Sequence, residues 1–200
     1  MYTPLSFTAP ALAALLSLGC LSALAADTDA SSAASVPAPS ASTGALHPIA
    51  TLDLPRYMGT WFEIAKYPNW FQKKCTGATQ AQYRLQPDDT VQVINRCRLQ
   101  NGVLNEAMGV ARQLGAATSA QLQVRFAPAW LGWLPGVWGD YWVIDLDAQY
   151  QLVAVSEPKK EYLWILARTP QVDAAAYQAL LQRLAGMGFD LGRLETSPQD

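Results

Sequence analysis

Gln80-Ala81-Gln82-Tyr83-Arg84-Leu85-Gln86-Pro87-Asp88-Asp89-Thr90-Val91-Gln92-Val93 is the stretch whose pattern decides the fold. Ala81, Tyr83 and Leu85 alternate strictly with Gln and Arg, which gives an extended chain one buried face and one wet face. Pro87-Asp88-Asp89 has the chemistry of a turn. The chain then returns as Val91–Leu99, with Val93, Asn95 and Cys97 on one face. Stepping back from Tyr83 by twos reaches Cys75 on the inward set, so both cysteines face the same side of one hairpin.

The same short-period pattern extends in both directions. Gly59–Lys66 precedes the hairpin; Leu104–Gln113, Ala120–Phe126, Tyr141–Leu146, Tyr150–Ser156 and Tyr162–Arg168 follow it. Turn residues separate these runs: Asn101-Gly102, Gly115 to Thr118, Asp147-Ala148-Gln149 and Glu157-Pro158-Lys159-Lys160. Eight consecutive strands with short connections predict an all-β fold, an eight-stranded antiparallel up-and-down β-barrel, because closing the sheet removes its exposed edges and leaves a small interior. The period then changes. Tyr177, Leu180, Leu181 and Leu184 form the stripe of one C-terminal α-helix, with Asp173 as N-cap and Gly186 as the stop. A short strand within Leu191 to Thr196 follows.

Of the 200 residues, 50% are hydrophobic and 15% charged, enough for one domain with a sizeable core. The formal charge is −2, but Asp27 and Asp29 lie ahead of Leu46, and beyond it fourteen basic residues meet fourteen acidic ones. A neutral domain lacks the basic footprint that phosphate backbones require, so no nucleic-acid partner is expected.

Residues 1–25 read as a signal peptide: an apolar run from Ala9 to Leu24, too short to span a bilayer comfortably, ends in Ala23-Leu24-Ala25. Leu16-Ser17-Leu18-Gly19-Cys20 supports a second reading, a lipoprotein signal ending before Cys20, which would then be lipidated. Residues 26–47 are Ala, Ser, Thr and Pro almost throughout, a composition expected to form a disordered linker. The folded domain is expected over 48–200. Export makes the remaining pair, Cys75 and Cys97, a candidate disulfide in an oxidising compartment such as the periplasm.

Leu54-Pro55-Arg56-Tyr57-Met58-Gly59-Thr60-Trp61-Phe62-Glu63-Ile64-Ala65 contains a Gly-x-Trp segment on the first strand. Tyr162-Leu163-Trp164-Ile165-Leu166-Ala167-Arg168-Thr169-Pro170 places an arginine at the end of the eighth. At this separation, with eight strand signals and a helix after them, the chain resembles the lipocalins, specifically those of the bacterial outer membrane, over residues 50 to 198. The family's middle Thr-Asp-Tyr motif has no match here; the corresponding stretch reads Asp145-Leu146-Asp147-Ala148-Gln149-Tyr150. A guanidinium stacked on a large indole fills and caps the closed end of a barrel, so Gly59, Trp61 and Arg168 are read as structural.

The resemblance implies binding of fatty acids, lysophospholipids or similar amphiphiles, in support of envelope lipid maintenance, by a monomer or weak homodimer that needs no cofactor or metal. By parity, Tyr83, Val93, Met108, Val110, Val124 and Phe126 are expected to line the cavity, and Trp138 and Trp142 are further ligand-contact candidates. Plain core packing is the competing reading for each. Ala129-Trp130-Leu131-Gly132-Trp133-Leu134-Pro135-Gly136-Val137-Trp138-Gly139 puts three indoles in a loop broken by Gly and Pro. It is read as a lid, as a patch meeting a membrane through Trp130 and Trp133, as an interaction surface, or as packing over the barrel.

An enzyme is the remaining rival, since fold does not fix function. The sequence has one histidine, His47, ahead of the domain, and no metal-spaced Cys/His set or Gly-x-Ser-x-Gly. Glu63, Asp145 and Glu157 are carboxylates on or beside strands, and solvated positions or turns account for them. No catalytic residues are expected.

Overall fold

A computed structural model of the chain describes residues 44–134 and 136–200. The expected signal peptide, Cys20 and most of the expected linker lie outside the described residues. Leu46 is buried, so the packed chain begins slightly ahead of residue 48.

Eight strands close into one antiparallel barrel: β1 (Gly59–Lys66), β2 (Cys75–Leu85), β3 (Val91–Leu99), β4 (Leu104–Gln113), β5 (Gln121–Arg125), β6 (Gly139–Leu146), β7 (Leu152–Ser156) and β8 (Leu163–Ala167). Each pairs with its neighbour in sequence, and β1 pairs with both β8 and β2 to complete the ring. A single helical turn, α1 (Leu54–Tyr57), precedes β1 with Asp53 as its cap; this turn has no periodic signal in the sequence. The main helix, α2 (Ala174–Gly186), starts as expected, with the Asp173 carboxylate accepting from Ala176 N at 2.9 Å. A two-residue strand, β9 (Glu195–Thr196), pairs with the end of β1.

Apolar side chains fill two regions. Inside the barrel, Leu52, Leu54, Tyr57 and Trp61 pack with inward residues such as Tyr83, Val91, Val93, Leu122, Val143, Val153, Val155 and Leu166. Outside it, Leu180 and Leu184 of α2 cover Ile144, Leu152, Ala154, Leu163, Ile165 and Ala167. Strands β7 and β8 are therefore apolar on both faces, and their sequences lose the alternation of a half-wet strand.

The C-terminal segment is part of the wall. Beyond Phe62, strand β1 no longer pairs with β2, and the tail enters the gap. Ser197 N donates to Ile64 O at 2.9 Å, Ala78 N donates to Pro198 O at 2.8 Å, and the Gln199 side chain donates to Glu63 O and Thr79 O. Cys75 and Cys97 form a disulfide that ties this half of β2 to β3.

Candidate functional site

The ends of the barrel differ. At the end where β1 begins, Trp61 is fully buried and its Nε1 donates to Tyr57 O at 2.9 Å. The Arg168 guanidinium lies 3.9 Å from the Trp61 ring centre and donates to the carbonyls of Tyr150, Thr60 and Arg56 at 3.2, 3.0 and 2.8 Å. Gly59 has φ +100°, and a Cβ there would stand 3.1 Å from Arg168 Nη1. Only glycine suits both the backbone and the close approach of the arginine. Gly59, Trp61 and Arg168 thus form one plug that closes this end.

At the other end the interior opens. Val91 and Val153 near the plug are sealed, whereas Asn95, Val124, Tyr141 and Trp164 are half-buried and Ala107 is exposed. These residues face inward by register: Val93 pairs with Tyr83 and Gly109, Asn95 with Ala81 and Ala107, Val124 with Ala111, and Tyr141 with Leu122. Phe126 reaches the same interior from beyond the end of β5. A Cβ built on Gly109 would meet the Phe126 ring at 2.8 Å, so glycine at this position lets the ring fold across the inner face of β4.

Tyr83, Val93, Val124 and Phe126 therefore lie inside. Met108 and Val110 do not: they pair with Ile94 and Gln92, on the outer face, and Met108 is 63% exposed. The inner positions of β4 are held by Ala107, Gly109 and Ala111, whose small size reversed the apparent parity. Trp142 also points outward and packs with the region under α2. Trp138 lies outside as well, with Arg112 and Arg125 over its ring at 4.2 and 5.0 Å and its Nε1 donating to Gly132 O. Of the three loop indoles, Trp138 is the packed one, whereas Trp130 and Trp133 are 72% and 78% exposed.

Parity missed Tyr57, Tyr141 and Trp164. Trp142 draws the inward assignment away from its neighbour Tyr141, and Tyr57 sits on a turn with no period to read. Glu63 is also corrected. It is not solvated but 3% exposed, facing inward, and its carboxylate accepts from Ser197 Oγ at 2.5 Å and Gln72 Nε2 at 2.7 Å, with Lys66 Nζ at 3.8 Å. Burial pushes its carboxyl above the ordinary range, opposed by those hydrogen bonds and by Lys66. Gln72 in turn accepts from Trp164 Nε1 at 3.0 Å, linking the loop after β1 to the wall. Asp145 is held by Arg183 of α2, and Glu157 caps the β7–β8 turn. Among the described residues no group of three or more His, Cys, Asp or Glu is placed to hold a metal.

A closed antiparallel barrel plugged at one end, apolar within and open at the other, is a calyx, an architecture that can hold a lipophilic ligand. A family model described as the lipocalin-like domain matches residues 52–199, and the chain belongs to the lipocalin family, of the bacterial outer-membrane lipocalin type. It is 39% identical over 150 residues to temperature-induced lipocalin-1 of Arabidopsis thaliana, covering 74% of this chain and 80% of that protein. To the outer membrane lipoprotein Blc of Escherichia coli it is 35% identical over 142 residues, 70% of this chain and 76% of that one. The barrel superposes on the cockroach allergen Per a 4 with a TM-score of 0.59 at 19% identity, covering 78% of this chain and 94% of the allergen.

Proposed function

We propose that this chain binds a single-chain amphiphile, a fatty acid or a lysophospholipid, in its calyx, and stores or carries it in a bacterial cell envelope in support of membrane maintenance. The gradient along the inward face, from sealed Val91 and Val153 at the plug to half-buried Asn95 and Val124 and exposed Ala107 toward the mouth, is the observation that carries this reading. Relatives named as an outer membrane lipoprotein and as apolipoprotein D support lipid as the ligand class and the envelope as the place. On this reading the protein is exported to the periplasm, anchored there or free, acts as a monomer or weak homodimer, and catalyses no reaction.

Native purification, denaturation and mass spectrometry of the released small molecules test the reading; fatty acid or lysophospholipid near one per chain supports it. Each methylene buried in the calyx contributes about 0.8 kcal/mol before ordering costs, so affinity for saturated fatty acids is expected to rise about fourfold per carbon until the calyx is full. A flat series by fluorescence displacement, with nothing apolar released, would overturn the lipid reading. The exposed indoles of Trp130 and Trp133 favour a second, compatible role for the loop, contact with the surface of a membrane.

A further inference from the structure

Three phenol groups converge inside the barrel from three separate elements. Tyr57 Oη of α1 lies 2.7 Å from Tyr141 Oη of β6, and Tyr83 Oη of β2 lies 3.1 Å from the same atom. The rings of Tyr57 and Tyr83 stack with centres 5.7 Å apart, and Tyr141 meets Tyr83 edge-on at 6.2 Å. These hydroxyls have no further hydrogen-bond partner among the described residues. Each phenol has one proton to give, and each O···O contact uses one. Two contacts among three hydroxyls therefore leave one O–H with no acceptor, whichever way the chain of bonds runs. An unmade donor in a buried place is destabilising. Tyr141 is half-buried whereas Tyr57 and Tyr83 are buried, so it is the least enclosed member of the three.

Arg168 adds a second observation. Its guanidinium donates to carbonyls alone, and among the described residues no carboxylate lies within ion-pairing distance of it. Its charge is half-buried on the plug with no carboxylate partner, and it acts electrostatically on both Tyr57 and Tyr83, on the second of which the buried Glu63 acts with the opposite sign. We propose that Tyr57, Tyr83 and Tyr141 form a binding site for the carboxyl oxygen of an alkyl carboxylate that enters the calyx polar end first. The proposal rests on the amphiphile reading and narrows it. A carboxyl group keeps an acceptor oxygen whether ionised or protonated, and its negative charge suits Arg168. The quaternary ammonium of a lysophosphatidylcholine would meet the same charge with repulsion, and a chain entering methyl first would leave the spare O–H against hydrocarbon. Burial pushes all three phenols above their ordinary range, Tyr83 to about 12, so they remain neutral donors wherever a fatty acid is ionised.

The test uses the full chain with two probes, dodecanoate and N-phenyl-1-naphthylamine, an apolar dye with no acceptor oxygen. Tyr141→Phe and Tyr83→Phe are each expected to lower the affinity for dodecanoate relative to the dye by about tenfold, the scale of one hydrogen bond to a charged group. A ratio that stays within about twofold, or shifts toward dodecanoate, overturns the site. On the unaltered protein, dodecanoate carrying 13C at carbon 2 is expected to show nuclear Overhauser contacts to tyrosine ring protons. If those contacts come instead from a 13C-labelled terminal methyl, the chain enters methyl first and the proposal is wrong even should either variant misfold. If neither probe binds the unaltered protein, the calyx reading fails and takes this site with it.

Discussion

Ser197 and Gln72 hold the Glu63 carboxylate, one from the C-terminal tail and the other from the loop after β1. Burial outweighs these bonds and raises its carboxyl above the ordinary 4.5. The folded protein therefore holds the Glu63 proton more tightly than the unfolded chain does. Stability from this group is fully present below the ordinary value and is lost as pH rises through the folded one. Glu63→Gln keeps the shape, with the amide oxygen accepting from Gln72 and the amide nitrogen donating to Ser197 Oγ. Its melting temperature relative to the unaltered protein is expected to climb as pH rises above the ordinary carboxyl value of 4.5, because only the carboxyl must ionise against its burial. A difference that is flat with pH in differential scanning calorimetry would show that Glu63 ionises in the folded state as readily as in the unfolded one.

At the scale of elements, the weak place in the wall is the first half of β2. It has left β1, it pairs with β3 through two register shifts, and the tail's Pro198 oxygen supplies one further acceptor, for Ala78 N. The disulfide between Cys75 and Cys97 clamps this segment, closing a loop with a sequence separation of 22, for which loss of the cross-link costs about 3 kcal/mol. Replacing both cysteines by serine is expected to lower the urea midpoint accordingly and to speed amide exchange first at residues 75 to 79; uniform exchange would argue that the clamp acts on the whole barrel. The pairing was legible because each register shift adds one residue to β2, so their effects on facing cancel and Cys75 stays on the inward set. Strands β2 and β3 and helix α2 were legible for a similar reason, since one face of each is wetter and the period survives, whereas β1 has no exposed face and its Glu63 was misread as solvated. Strand β4 was not, because its inner face is built from small residues while Met108 and Val110 point out. Strand β6 was not, because α2 covers its outer face and makes Trp142 as apolar a choice as Tyr141. Neither the tyrosine group nor the tail in the wall has a local pattern, as each depends on contacts between residues far apart in sequence.

Over the whole molecule, exposed large apolar side chains collect at one end. Trp70 and Phe71 follow β1, Val103 and Leu104 join β3 to β4, and Phe126, Trp130 and Trp133 lie between β5 and β6, all around the mouth. Leu85 is the corresponding exposed residue at the plugged end. Lys73, Lys74 and Lys159 stand exposed among the mouth loops, where they suit the negative surface of an anionic bilayer. Indoles prefer the interface between hydrocarbon and water, so this end is the one expected to meet lipid. A large apolar side chain moved out of water contributes about 1.5 to 3 kcal/mol, so replacing Trp130 and Trp133 together by serine is expected to weaken binding to anionic vesicles by more than about tenfold. Both indoles are exposed, and substitutions at such positions change folding stability by no more than about 0.5 kcal/mol, so the melting temperature is expected to stay nearly constant. Leu85→Ser at the opposite end serves as the control and is expected to leave vesicle binding where it was. Co-sedimentation distinguishes the cases: equal binding by the double serine variant would remove Trp130 and Trp133 from the lipid contact, and a loss in Leu85→Ser as large as in that variant would mean that lipid meets both ends rather than the mouth.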